Sequence, residues 1–446
     1  MKILSSYKVE IQKLHKPLKK TMEIARAAVS WLLPVIGAEW ETLSLISDEK
    51  KRFNEAEKLI HETRFNSASY PFDQAFPKMP SYLRRAVLQH AIGAVSSART
   101  REASQAGGKD GSPGSGQGQE AGPGMLLKQN HYMPVFYKDN MYRKQEDKTF
   151  LKLYNGKDWV WQEVSLKKTD LDYLRKYWSG RKAKSPVLVK SHGKYFLQFA
   201  FEQETKLPDK PAEKQVVCAV DLGINTGAVC SIMRADGTVA GRKFIDFPAE
   251  KDHLNHVLNR VRKQQRKFGP KNVTGFWSYA KRLNEEIARK TAGAIVRFAR
   301  ENGADIIVFE HLQMKGRIRG KNRQRLHMWK KNSIQNIVEN QAHRAGMRIS
   351  RICAWKTSAL AYDGSGPVAR DPKNHSLAAF SNGRQYNCDL SASYNIGARY
   401  FVRELLKPVP ETERSALAAK VPGVQRRTFC VYADLILLNQ VMGQPA

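Results

Sequence analysis

Val216-Val217-Cys218-Ala219-Val220 is an apolar, β-branched run that reads as a strand buried on both faces. It ends on Asp221. Gly223 and Gly227 follow, then a second apolar run from Ala228 to Met233 and a turn at Ala235-Asp236-Gly237. Ala304 to Phe309 repeats the device, an apolar strand ending on Glu310. Asp389 then opens a helical stretch, Leu390 to Tyr400, whose small residues Ala392 and Ala398 permit close packing on a sheet. Between these lie two helical patterns. One is marked by Leu254, Val257, Leu258 and Val261; the other runs from Trp277 to about Arg300. A helix from about Leu326 passes Trp329, Ile334, Ile337, Val338 and His343 to end at Gly346, and Arg348 to Cys353 is a further strand.

The first half of the chain changes period midway. Ser5 to Ile11 alternates as a strand. Leu18, Met22, Ile24, Ala25, Ala28, Val29 and Leu32 then recur at helical steps, followed by charged amphipathic helices from Asp48 to Thr63 and from Ser81 to about Ala98. Residues Gly107 to Gly124 are dominated by Gly with Ser, Gln and Pro, the composition of a flexible linker. Beyond Met125 the period is two, with strands at 133–137, 149–154, 158–164, 187–190 and 195–201 and a hairpin turn at Asn155-Gly156-Lys157. These predict a small β-barrel completed by the N-terminal strand, with the helical block inserted. Alternation places Tyr154, Trp159, Trp161, Tyr195 and Phe199 in its core rather than on a base-stacking surface.

Charge narrows the picture. Of 446 residues, 75 are Lys or Arg against 42 Asp or Glu, a net charge of +33, which points to a polyanionic partner. No run of about 18 apolar residues is read in the sequence, Ala27 to Gly37 is broken by Pro34, and the N-terminus has no signal-peptide core. A cytoplasmic nucleic-acid protein without membrane attachment is therefore expected. The five cysteines, at 218, 230, 353, 388 and 430, form no C-x-x-C pair and are expected to be reduced and buried.

Each acid alone fits a bland role: Asp221 a turn cap, Asp389 a helix N-cap. Three acids closing three core elements instead form the oxygen set that a pair of Mg²⁺ ions requires to clamp a phosphodiester, with Mn²⁺ able to substitute.

The order Asp-Leu-Gly-Ile-Asn (221–225), Phe-Glu (309–310) and Asp-Leu-Ser-Ala-Ser-Tyr-Asn-Ile-Gly (389–397) resembles the split RuvC-like nuclease of the TnpB family. Those are transposon-encoded RNA-guided endonucleases, related to compact type V CRISPR effectors. The resemblance covers roughly residues 214 to 400 by motif and the N-terminal half by layout. It implies an RNase H-like nuclease domain with an oligonucleotide-binding-like wedge barrel interrupted by a helical recognition lobe. Asp221, Glu310 and Asp389 become catalytic metal ligands, and Asn225 and Asn395 candidate positioning residues. The implied partners are a guide RNA and double-stranded target DNA, whose two strands one active site would cut in turn.

On this layout, residues 1–15 are the first wedge strand, 16–106 the recognition lobe, 107–124 the linker and 125–210 the wedge barrel. Residues 211–355 hold the first two nuclease motifs, 356–387 a target-strand loading insertion, and 388–446 the third motif and C-terminal helices. Basic faces bearing Arg260, Arg262, Lys263, Arg266, Lys267, Lys281, Arg282, Arg289 and Lys290 would track a guide–target duplex through phosphates and 2′-hydroxyls. The loop carrying Arg317, Arg319, Arg323 and Arg325 would be a basic lid over the site. Relatives carry two C-x-x-C pairs between the second and third motifs. This chain has none there; His375 and Cys388 alone make no tetrahedral site, so no zinc is expected. Arg370, Lys373 and Arg384 remain as cations for the target strand. The competing readings are a guide-directed repressor that does not cut, and an RNase H-like transposase.

Overall fold

In Leu4–Gln203, the first of two units into which the chain divides, helices and strands bury one common core. The computed structural model describes residues 1–13, 15–106, 131–145, 148–191, 193–269, 273–311, 328–371, 374, 376–425 and 429–443. The linker at 107–124, the basic lid and the residues Lys373 and His375 lie outside the described residues. Strand β1 (Lys2–Ile11) turns Val9 and Ile11 inward by alternation. Helices α1 (His15–Ala38), α2 (Glu49–Ile60) and α3 (Ser81–Ala106) follow. Asp48 caps α2 by accepting from the Lys51 backbone N–H at 2.7 Å. α3 runs on to Ala106, past the end near Ala98 that the periodicity predicted.

α1 corrects one expectation. With a mean hydropathy of 1.2, Lys16–Ala38 is long and apolar enough to cross a bilayer. Its stripe of Leu18, Met22, Ala25, Val29, Leu32 and Ile36 is seated instead in the core shared with α3 and the strands.

Strands β2 (Tyr142–Gln145), β3 (Lys148–Tyr154) and β4 (Trp159–Val164) make one antiparallel sheet. A helix that the periodicity did not predict, α4 (Lys168–Trp178), comes next. Then β5 (Lys182–Ala183), β6 (Val187–Ser191) and β7 (Lys194–Glu204) join β1 in a second sheet. No closed barrel is formed among the described residues: the strands divide into four- and three-stranded sheets, with isolated bridges at Ile11–Leu166 and Val135–Val187. The strand expected at 133–137 reduces to one such bridge, because Pro134 and Pro186 have no N–H to extend the ladder at that seam. The hairpin turn forms as predicted: Asn155 Oδ1 accepts from the N–H groups of Lys157 and Asp158, and Gly156 takes φ 111°. Trp159, Tyr195 and Phe199 face the core.

The second unit, Met1–Ile3 with Glu204–Ala446, is built on a five-stranded sheet. Strands β8 (Val216–Asp221), β9 (Ala228–Arg234) and β10 (Val239–Ile245) are antiparallel neighbours. Helices α5 (Pro248–Phe268) and α6 (Thr274–Glu301) follow. Then come β11 (Ile306–His311), α7 (Lys331–Arg344) and β12 (Arg348–Cys353), with β11 parallel to both β8 and β12. The order across the sheet is β10-β9-β8-β11-β12. A small sheet of β13 (Ala369–Arg370), β14 (Leu377–Ala379) and β15 (Gln385–Asn387) precedes α8 (Cys388–Leu406), and α9 (Tyr432–Gly443) comes last.

Alternation splits the central sheet between two cores. Cys218 and Val220 of β8 and Ile307 and Phe309 of β11 pack with α6 and α7, through Ala288, Ala292, Ile295, Phe298 and Val338. Val217 and Ala219 of β8 and Ile306 and Val308 of β11 pack with Ile396 and Phe401 of α8 and Leu435 and Leu438 of α9. β8 is therefore buried on both faces, as its unbroken apolar run requires. All five cysteines are free; four are buried, but Cys353, at the end of edge strand β12, is exposed.

Candidate active site

Asp221 and Glu310 follow from the sheet register. Val220 pairs with Phe309 across the parallel β8–β11 ladder, so the next residues, Asp221 and Glu310, stand side by side where these strands end. With a period of two, Asp221 continues the face of Val217 and Ala219, and Glu310 that of Ile306 and Val308. That is the face covered by α8. Asp389 lies in the first turn of α8, where the helix dipole favours a carboxylate. The N-cap itself is Asn387, whose Oδ1 accepts from the Leu390 N–H at 2.9 Å, so Asp389 is not needed for capping.

Electrostatics record the proximity. Burial first, then the charges of Glu310 and Asp389, hold the Asp221 carboxyl well above the ordinary carboxylate range, while Arg370 pulls it down. Burial likewise raises Asp389, again offset by Arg370, which projects from β13. Burial raises Glu310, offset by a hydrogen bond from Thr357 and by the Arg399 guanidinium. Among the described residues none of the three acids forms an ion pair, an uncommon state for buried carboxylates.

The donor set suits a hard divalent cation, being oxygen only and electrostatically strained in a way a cation relieves. Among the described residues, however, no group of three or more His, Cys, Asp or Glu side chains is arranged so that it could hold a metal ion. One Glu310 oxygen, Oε1, is held by the Thr357 hydroxyl.

Thr357 and Arg399 escaped the sequence pattern. Arg399 is buried and donates from Nε to Cys430 O at 2.8 Å, and from Nη1 to Cys353 O at 2.9 Å and Trp355 O at 2.8 Å. A lone Arg inside the apolar run Ile396 to Phe401 is the signal that could have flagged it. Nothing in the sequence marks Thr357.

The candidate positioning residues part company. Asn395 is buried; its Nδ2 donates to Thr357 O and Leu360 O at 3.0 Å each, and its Oδ1 accepts from Tyr432 N–H at 3.0 Å. It staples the loop after β12 to α8 and α9. Asn225 is exposed on the loop after β8, and its backbone carbonyl accepts from Lys251.

The basic residues lie on exposed faces of α5 and α6, which pack together through Leu254, Val257, Leu258, Ala280 and Ile287. Arg260, Arg262, Lys263, Arg266, Lys267, Lys281 and Arg282 are carried there. Arg289 pairs with Glu285 at 3.7 Å and Lys290 with Glu250 at 2.7 Å, so those two are partly neutralised within the protein. A cavity of about 280 Å³ between these helices opens beside Gly223 and Gly227, lined also by Arg262, Asn284, Trp329 and Lys330. Arg384 is exposed beside the rings of Tyr362 and Tyr386. The stretch at 356–387 is held by the β13–β15 sheet and an aromatic cluster of Tyr362, Phe380, Tyr386, Tyr394 and Tyr432.

Residues 5–155 match the Aq_aa04 family. No curated protein matches the sequence. Among solved structures, the chain is similar to the Cas12f1 protein of a Cas12f1–sgRNA–target DNA complex, with TM-score 0.50 and 14% identity, over 84% of this chain and 81% of that one. A weaker likeness, to the mini RNA-guided endonuclease CRISPR-Cas_phi3, has TM-score 0.47 and 10% identity over 92% and 93% of the two chains. A third, to C2c1 of Alicyclobacillus acidoterrestris with single-guide RNA, has TM-score 0.42 and 11% identity over 79% and 63%. In fold, this mixed α/β chain resembles Cas12f1.

Proposed function

We propose that the chain is an RNA-guided endonuclease, related to the TnpB family, that hydrolyses double-stranded target DNA at a RuvC-like site made by Asp221, Glu310 and Asp389. The observation that carries this reading is the β8–β11 register, which sets two buried acids side by side beneath the helix bearing the third. The likeness in fold to Cas12f1, solved with sgRNA and target DNA, supports it, as does a net charge of +33.

Asp221, Glu310 and Asp389 would hold Mg²⁺, or Mn²⁺ in its place. When bound, the metal supplies Lewis acidity at the attacking water and the leaving 3′-oxygen. The chain supplies the rest. β8 and β11 fix two carboxylates on adjacent strand ends, so neither searches rotamers against solvent. Asp221, whose carboxyl is raised by the charges of both other acids, would contribute its oxygens to the same site as theirs. Thr357 fixes one Glu310 oxygen, so the other would be the one to hold a metal. The sheets of the first unit are assigned the wedge role, α1 to α3 the recognition role, and the basic faces of α5 and α6 the phosphates of an A-like guide–target duplex. Arg370 and Arg384 are assigned to the target strand.

The test is incubation of the purified protein–RNA complex with matched plasmid, with and without Mg²⁺. Linear product only with Mg²⁺ supports the reading. Bound but intact plasmid favours a guide-directed repressor, and joined ends favour a transposase.

A further inference from the structure

The outer surface of α4 carries an aromatic stack that the first unit's core does not use. Leu171, Leu174 and Trp178 seat the helix on the core. Tyr173 and Tyr177, one turn apart, point away from it and are 41% and 53% exposed. Their rings are 4.7 Å apart and tilted by 44°, and Tyr173 stacks on Tyr7 of β1 at 4.6 Å with planes 17° apart. The result is a three-ring ladder rising from the edge of the core into solvent.

Burial does not account for such a ladder, since exposed phenols on a helix gain little from staying dehydrated. The surrounding charge indicates what would cover it. Residues 167–182 contain Lys167, Lys168, Arg175, Lys176, Arg181 and Lys182 against only Asp170 and Asp172. Among the described residues Lys168 and Lys176 form no ion pair, and the Lys176 ammonium lies 5.3 Å from the Tyr177 ring centroid. Aromatic faces interleaved with cations suit a chain whose planar groups alternate with anions.

We infer that Tyr7, Tyr173 and Tyr177, with Lys176, form a stacking site for unpaired nucleobases of a single-stranded nucleic acid. An unpaired base extends the ladder on Tyr177, and the phosphate joined to it runs past Lys176. Stacking reads neither base identity nor sugar, so RNA and DNA strands share the chemistry and the experiment separates them. The site extends the nucleic-acid reading above but does not depend on the three acids or on cleavage.

Binding of the full-length protein to unstructured single strands of about 12 nucleotides, one of RNA and one of DNA, is measured in roughly 0.5 M KCl, where phosphate attraction elsewhere on this basic chain is screened. The Tyr173→Ala/Tyr177→Ala double variant is expected to bind roughly tenfold or more weakly, while Tyr177→Phe and Tyr177→Trp, which keep the π face, retain wild-type affinity. A 5-iodouridine strand is expected to photocrosslink to the peptide containing Tyr173 and Tyr177. Loss on RNA alone assigns the site to RNA; loss on both strands assigns it to either. Equal binding by the folded double variant and wild type overturns the inference and leaves the ladder to a protein contact. So does a Phe variant as weak as the Ala variant. Absence of binding by the wild type in roughly 0.5 M KCl likewise overturns the inference, and only absence of binding at low salt as well overturns the nucleic-acid reading along with it.

Discussion

Thr357 and Glu310 share a buried hydrogen bond across 47 residues of sequence, the Thr357 hydroxyl donating to Glu310 Oε1. The loop that presents Thr357 is held by α8, through Asn395 to Thr357 O and Arg399 to Trp355 O. The helix that carries Asp389 thus also orients Glu310. Thr357→Val keeps the shape and removes the donor. Single-turnover cleavage is expected to fall about tenfold, the equivalent of about 1.4 kcal/mol, and Mn²⁺ binding by electron paramagnetic resonance to weaken in parallel. Thr357→Ser should restore both. Wild-type Mn²⁺ affinity in the Val variant would sink the positioning role.

Burial, followed by the charges of Glu310 and Asp389, raises Asp221 above its ordinary 3.8. In cation-free protein the native state therefore keeps a proton that the unfolded chain has already released. Stability from this group is full below 3.8 and is lost as pH climbs through the raised value. With EDTA present, Asp221→Asn is expected to melt a few degrees above wild type at neutral pH, and the gap should close on acidification. Melting curves from pH 4 upward check this; an Asn variant that melts lower at neutral pH contradicts it.

Gly397 lies where α8 crosses the sheet. A Cβ there would stand 2.9 Å from Met233 Sδ and 3.3 Å from Ala219 Cβ. Gly397→Val is expected to cost about 1–3 kcal/mol in urea unfolding. Lifting α8 also withdraws Asp389, so cleavage at low temperature, where the variant stays folded, should fall further than stability does. Unchanged cleavage in a destabilised variant would show that the helix seat does not set the acid.

Asp389→Ala is expected to abolish cleavage and leave RNA and DNA binding intact in gel-shift assays. The opposite pattern is expected when Arg262, Lys263, Arg266 and Lys267 are changed to Gln together. Binding should weaken, and the slope of its logarithm against that of salt concentration should flatten by roughly one for each phosphate no longer neutralised. If the Asp389 variant stops binding, the separation between grip and chemistry is refuted.

The acids were legible because each closes or opens an apolar run, a place where a charge needs a reason. The two-faced burial of β8 was legible from its lack of alternation, and α5 and α6 from their helical steps. Other features lay beyond reach. α4 has only Leu171, Leu174 and Trp178 as an apolar stripe and no side-chain cap at Lys167, so local signals did not reveal it. The barrel failed to close because its seam depends on prolines from distant segments, which alternation within one strand does not report. Thr357 and Arg399 owe their roles to partners dozens of residues away, and such pairing exists only once the chain is folded.

The β8–β11 ladder sets a schedule as well as a geometry. During synthesis Asp221 leaves the ribosome first, its neighbour Glu310 only after two long helices have been made, and α8 later still, with the loop that bears Thr357 shortly before it. Pairings so far apart in sequence form late in folding. On the proposed function, a growing chain would present its early basic segments to polyanions while its acid centre is still unbuilt. On the same reading, capacity to cut would thereby be deferred until almost the whole second unit exists.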